Sequence, residues 1–235
     1  MSKVAVVTGA SKGIGRAVSE RLLSPELKVT TLVVIARQSA EFSQTIVDLR
    51  EAAGDRVAVI DYALDVGDRE ETIAVIHDMY ARVKRVDILV NNAGYTNPVA
   101  IQQVDFADFE RTIAVNVYAP FTFVQELLHL GNRFKVIVNI ASTAGINGRA
   151  GWLTYSASKA ALINMSEVMR DELKVDGTRV ICLSPGRTAT DLRRILAPDE
   201  DPTTIMQPEH VAEVIGTMIG PVGRFIDQQN VVVRQ

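Results

Sequence analysis

Val4-Ala5-Val6-Val7-Thr8-Gly9-Ala10-Ser11-Lys12-Gly13-Ile14-Gly15 begins as an unbroken apolar run and ends in a turn carrying Gly9, Gly13 and Gly15. A short β-branched run with no polar alternation reads as a strand covered on both faces. Glycines let the chain turn tightly and approach an anion, and the helix that follows offers its free N–H groups. A strand, a glycine turn and a helix in that order make a loop suited to a pyrophosphate, with Ser11, Lys12 and Ile14 beside the glycines. The glycine spacing differs by one residue from the common dinucleotide fingerprint.

Working outward, further apolar runs follow at Val29 to Ile35, Val57 to Ile60, Val86 to Val90, Lys135 to Ile140 and Arg179 to Leu183. Helical patterns lie between them, at Gly15 to Leu23, Glu41 to Ala52, Asp68 to Val83, Phe106 to Leu130 and Leu153 to Leu173. Parallel strands need such crossovers, and right-handed crossovers wind an open sheet covered on both faces. The fold class is therefore α/β, a Rossmann-type doubly wound parallel sheet, expected as one domain over residues 1–235. The tail Asn230 to Gln235 is expected to form a short last strand. Ala197 to Pro208, polar and proline-bearing, reads as an exposed loop near the site.

A net charge of −3, with 25 Lys plus Arg against 28 Asp plus Glu and no basic block, gives no support for a nucleic-acid or membrane partner. The expected partner is a small molecule. Cys182 is the only cysteine, so no intramolecular disulfide forms, which fits a reducing compartment. The N-terminal apolar run stops at Gly9, too short for a signal or membrane segment, and a cytoplasmic location is expected. His77, His129 and His210 lack ligand spacing, and no metal is expected.

The second chemical stretch runs from Ser142 to Lys159. On a helix Tyr155 and Lys159 lie one turn apart on the same face, so phenol and ammonium can share one small volume. A phenol has an ordinary pKa of roughly 10, and a nearby cation lowers it toward a value useful for acid-base work. Ser142 ends a buried strand, where its hydroxyl can reach the same reacting oxygen. The bland alternative is an amphipathic surface pair. At the end of the second strand, where an acid would bind a ribose 2′-OH, the chain reads Val34-Ile35-Ala36-Arg37. Arg37, with Lys12, suits a 2′-phosphate, which favours NADP (as NADPH) over NAD unless Arg37 merely solvates a loop.

Thr8-Gly9-x-x-x-Gly13-x-Gly15, Asn91-Asn92-Ala93-Gly94, Asn116, Ser142, Tyr155-x-x-x-Lys159 and Pro185-Gly186, in this order and spacing, resemble the short-chain dehydrogenase/reductase family over residues 3 to about 191. The resemblance implies that Asp65, with Val66, meets an adenine ring. It implies that Asn92, Ala93 and Gly94 support the cofactor and that Asn116 holds a water near the lysine. Ser142 would orient the carbonyl oxygen, Tyr155 would exchange its proton, and Lys159 would bind the nicotinamide ribose. Pro185, Gly186, Thr188 and Thr190 would position the nicotinamide, although Thr188 stands where an aliphatic residue is usual. Ala141 and Ala119 are further departures, and a short segment after Thr190 implies a smaller or more open lid.

The expected reaction is reduction of a small or aromatic ketone or dicarbonyl. Alternatives are a 3-oxoacyl reductase, an NAD-dependent alcohol or sugar dehydrogenase, and a non-catalytic dinucleotide sensor or scaffold. The glycine loop and Arg37 resemble the sepiapterin and carbonyl reductase branch as much as the 3-oxoacyl carrier-protein reductases. Asn147, Arg149 and Trp152 fall where a substrate can touch them. A homodimer or homotetramer is expected through Val117, Phe121, Val124 and Leu128 on one long helix and Leu162, Met165 and Met169 on the other.

Overall fold

The computed structural model describes residues 2–226 and 230–235. Seven parallel strands form one sheet: β1 (Lys3–Thr8), β2 (Val29–Ala36), β3 (Ala58–Ala63), β4 (Ile88–Asn91), β5 (Val136–Ile140), β6 (Arg179–Pro185) and β7 (Val231–Val233). Their order is β3-β2-β1-β4-β5-β6-β7, so the chain reverses its winding between β1 and β4. Ligands of such sheets bind outside the carboxyl ends of the strands at that reversal.

The period-two alternation of each strand feeds two cores. Ala5, Val7, Leu32, Val34, Ile88, Val90, Val138, Ile181 and Leu183 point to one face, where α1 (Gly13–Leu22), α2 (Ala40–Ala53) and α8 (Pro208–Ile219) pack. Val6, Val33, Ile35, Leu89, Ile137 and Val180 point to the other, under α3 (Arg69–Val83), α5 (Ala119–His129) and α6 (Leu153–Leu173). Continuous apolar runs at these positions are what a sheet covered twice requires.

Two differences from the sequence reading have physical causes. The long helix expected over Phe106 to Leu130 is interrupted: α4 (Phe106–Ile113) passes through a π-helical turn, Ala114–Tyr118, before α5 begins. The extra residue in that turn falls around Asn116, whose side chain bonds outside the helix, and π turns of this kind gather at functional sites. Helix α8 was not anticipated behind the polar Ala197 to Pro208 segment. Its signal is present in Pro208 at the first helical position and in the spacing of Val211, Ala212, Ile215, Met218 and Ile219.

Packing is tight where β1 hands over to α1. A Cβ on Gly9, which has φ +66°, would sit 2.8 Å from the Ala93 Cα, and one on Gly15 would overlap the Gly9 carbonyl oxygen and Asn92 Nδ2. A Cβ on Gly148 meets nothing within 4 Å. Gly15→Ala is therefore expected to cost ~3 kcal/mol or more in urea unfolding, while Gly148→Ala stays close to neutral.

Candidate active site

One cavity of about 1010 Å³ opens at the carboxyl ends of the strands, around the reversal point. That is the upper end of the range for small-molecule sites and leaves room for a dinucleotide together with a substrate. Its floor is the turn after β1. Thr8 Oγ1 accepts from the backbone N–H groups of Asn92 and Ala93, both at 3.1 Å, and Asn92 Nδ2 donates to the Thr8 and Gly9 carbonyls. These bonds tie the ends of β1 and β4 together and leave the N-terminus of α1 facing the cavity, where free N–H groups favour a phosphate.

The walls include Gly9, Ser11, Lys12, Gly13, Ile14, Arg37, Asp65, Val66, Asn92, Ala93, Gly94, Ser142, Tyr155, Lys159, Pro185, Gly186, Thr188 and Thr190, all singled out from the sequence. Gly15 and Asn116 are not on the walls. Gly15 lies behind the loop against Gly9. Asn116 braces the loop after β4: Oδ1 accepts from Tyr95 N at 2.8 Å, and Nδ2 donates to Tyr95 O and Ser158 Oγ, each at 2.9 Å.

On the cavity wall after β3, Asp65 receives Arg111 at 2.5 Å and the Gly67 N–H at 3.0 Å. Burial raises the Asp65 pKa, but the guanidinium and the amide outweigh it and the carboxyl ends below its ordinary value. Arg111 was missed by sequence reasoning, because its meeting with Asp65 is made by the fold of α4 over β3. Arg37 reaches the cavity wall and forms no ion pair among the described residues. Lys12, by contrast, is engaged with Asp191 at 2.6 Å and Glu41 at 3.2 Å.

Tyr155 and Lys159 project from α6, and both are buried. Lys159 Nζ donates to the Ile140 carbonyl at 2.8 Å and lies 5.8 Å from the Tyr155 ring centroid. Burial lowers the Lys159 pKa to about 8. Burial raises that of the Tyr155 phenol, while a hydrogen bond with the Ser142 hydroxyl and the charge of Arg193 pull it back. The phenol is thus protonated at neutral pH and positioned to give a proton. Buried Cys182 is pushed up to about 11 by desolvation, so its thiol is inert.

The segment after Thr190, expected to form a smaller or more open lid, is short and is tied to its surroundings at both ends. Thr190 accepts from Arg193 N and caps α7 (Asp191–Leu196), while its methyl group would touch a Cβ on Gly13 at 3.1 Å. Asp191 reaches Lys12, so the lid is fastened to the glycine loop. Thr188 bridges to Met206, which fixes the lid's base before α8. Further wall residues not read from the sequence include Glu41, Leu192, Leu196 and Arg234.

Among the described residues, no three His, Cys, Asp or Glu side chains converge on a metal position. His210 Nδ1 instead accepts from Gln207 N at the start of α8. No helix among the described residues is long and apolar enough to cross a membrane.

A family model described as short chain dehydrogenase matches residues 3–201. The 3-oxoacyl-[acyl-carrier-protein] reductase of Thermotoga maritima is 33% identical over 225 residues, covering 95% of this chain and 84% of its own. The acetoacetyl-CoA reductase of an Acinetobacter species is 30% identical, covering 91% and 94%. A short chain dehydrogenase from Shigella flexneri, solved in complex with NADP, superposes with a TM-score of 0.86 at 26% identity, covering 98% and 96%. The chain belongs to the short-chain dehydrogenase family and is an oxidoreductase with its Rossmann-type fold.

The Lys159 ammonium has a folded pKa below its unfolded value, so the folded state holds fewer protons between about pH 8 and 10.5. Its burial therefore costs most below pH 8, and the cost fades as pH rises through that window. In paired urea titrations of the cofactor-free protein, wild type is expected to gain stability relative to Lys159→Met between pH 7 and pH 10.

Proposed function

We propose that this oxidoreductase uses NADPH to reduce a small carbonyl compound to the alcohol. The observation that carries the reading is the buried Tyr155 phenol, one helical turn from buried Lys159, which shares with Ser142 the wall of a dinucleotide-sized cavity. Bound nicotinamide dinucleotide supplies the hydride. The protein supplies placement and charge. Ser142 and Tyr155 receive the carbonyl oxygen between them, and Tyr155 gives its phenolic proton to the oxygen as negative charge develops there. Lys159, held against Ile140 O, stands where it can bond ribose hydroxyls and offset the phenolate left behind. Its site keeps water away from the exchange, because both side chains are buried.

The preference for NADPH rests on Arg37, a cation without an ion pair among the described residues at the end of β2, where no acid stands to meet a ribose 2′-OH. The NADP complex of the Shigella flexneri relative supports it. The names of the two curated relatives favour a second substrate class, a 3-oxoacyl thioester, and acetoacetyl-CoA belongs in the assay beside simple ketones. Arg37→Ala is expected to lose about 10- to 100-fold in NADPH affinity by nicotinamide fluorescence, with NADH little changed. Glu41→Gln, which frees Lys12 from one acid, is expected to tighten NADPH severalfold. Tyr155→Phe is expected to bind NADPH and not turn over. Equal binding of both dinucleotides by wild type and Arg37→Ala would remove the cofactor assignment, and turnover by Tyr155→Phe would remove the proton donor.

The same reading includes a homo-oligomer through α5 and α6. Val124, Leu162 and Met169, expected at the contact, are core residues instead; the exposed apolar side chains on these helices and the π-helical turn are Tyr118, Phe121, Leu153 and Val168. Light scattering is expected to give a dimer or tetramer mass, and Phe121→Glu with Val168→Glu to shift it to that of a monomer.

A further inference from the structure

The substrate end of the cavity carries positive charge that proton and hydride transfer do not use. Arg149, Arg187, Arg193 and Arg234 line it. The acids among the described wall residues are Glu41, Asp65 and Asp191, and each is already engaged, the first and third with Lys12 and the second with Arg111. Arg193 is held from behind by Glu200, which takes Nε at 2.5 Å and Nη2 at 2.7 Å and leaves Nη1 without an acceptor among the described residues. Glu200 also touches Arg187 at 3.4 Å. No carboxylate among the described residues pairs with Arg149.

Both Arg149 and Arg193 lie against one ring. Their guanidinium carbons are 5.3 and 5.6 Å from the Trp152 centroid, and Trp152 in turn meets Tyr155 edge-on, with centroids 6.5 Å apart. A tryptophan face steadies guanidinium groups and keeps them planar to a guest. The Arg193 side chain is only 15% exposed, so its direction is fixed before anything binds. Two cations therefore lie beside the ring that meets the proton donor edge-on.

We infer that the substrate of this site carries a carboxylate close to its reacting carbonyl, received by Arg149 together with Arg193 on the Trp152 platform. The inference rests on the carbonyl-reduction reading and names its substrate class. A planar carboxylate matches the guanidinium fork in two-point contact, and the half-closed cleft strengthens that contact relative to open water. The short span also selects against the phosphate of a pantetheine arm, which lies many bonds from its thioester. Substrates of this class are oxo acids, and the product is the corresponding hydroxy acid.

The test compares phenylglyoxylate with its methyl ester, which lacks the anion and has the more electrophilic ketone, using NADPH and wild type or Arg149→Gln. The change in their ratio between the two enzymes reports the anion contact. Arg149 is exposed on a turn flanked by Gly148 and Gly151, so the variant is expected to fold. Wild type is expected to favour the acid over the ester by about 10-fold or more in kcat/KM, and Arg149→Gln to reduce that ratio mainly through the KM of the acid. Trp152 is the only tryptophan, so its fluorescence reports binding without turnover. Phenylacetate, which has no ketone, is expected to quench it in wild type more strongly than methyl phenylacetate does. An acid-to-ester ratio that Arg149→Gln leaves unchanged overturns the inference and leaves carbonyl reduction standing. Quenching by phenylacetate that Arg149→Gln loses, with neither keto compound reduced, keeps the anion site and overturns carbonyl reduction. Equal quenching by phenylacetate and its ester overturns the anion site.

Discussion

The contact between Thr8, Gly9, Gly15 and Asn92 is the constraint on which the rest depends. The sheet reverses direction between β1 and β4, and the crevice so formed exists only if both strands end at the same height. Thr8 Oγ1 receives two backbone N–H groups from the β4 side, and the Asn92 amide returns two bonds to the β1 side. Each bond is worth about 1 kcal/mol net, but leaving these groups unmet away from water costs more. The missing Cβ at Gly15 lets α1 begin directly against this knot, so the helix N-terminus faces the cavity and not the sheet. Local backbone geometry thereby becomes an anion site.

A second knot, on the other side of the crevice, sets the chemistry. Lys159 reaches across from α6 to the last carbonyl of β5, so the helix carrying Tyr155 is tied to the strand that leads into Ser142. Without a cofactor the lysine spends itself on Ile140, and burial is the first influence on both its pKa and that of Tyr155. Arg193, from the lid, is a second cation acting on the phenol, beside Lys159, whose ammonium lies 5.8 Å from the Tyr155 ring. Lys159 ties the helix to β5, while Arg193 brings its charge from α7.

What was legible in the sequence was whatever depends on local pattern. Unbroken apolar runs marked six strands, because both faces of a parallel sheet are covered. Glycine spacing marked the loop, and Tyr155, Lys159 and Ser142 sit together because one helix and one strand end carry them. What depends on long-range meeting was not legible. Arg111 finds Asp65 only through the packing of α4, and Glu41 and Asp191 meet Lys12 only because α2 and α7 flank the glycine loop. Val124, Leu162 and Met169 looked like a subunit face because helical spacing does not say which apolar stripe the sheet takes. Asn116 was found as a residue, yet its bonds to Tyr95 and Ser158 follow from a π-helical turn that periodicity alone does not announce.

Lys12 joins the two ends of the argument. On the proposed NADPH reading, a 2′-phosphate beside Arg37 would compete with Glu41 for this ammonium, and Asp191 holds the same ammonium from the lid. The helix that Asp191 begins also carries Arg193, whose charge reaches Tyr155. Any rearrangement of the Lys12 pair is therefore felt at the start of α7, one turn or less from the residue facing the substrate. These ion pairs are partly exposed and individually weak, worth at most about 1 kcal/mol each. Weak pairs are suited to a fastening that must open: they hold the lid over an empty loop without making its exchange for a phosphate costly.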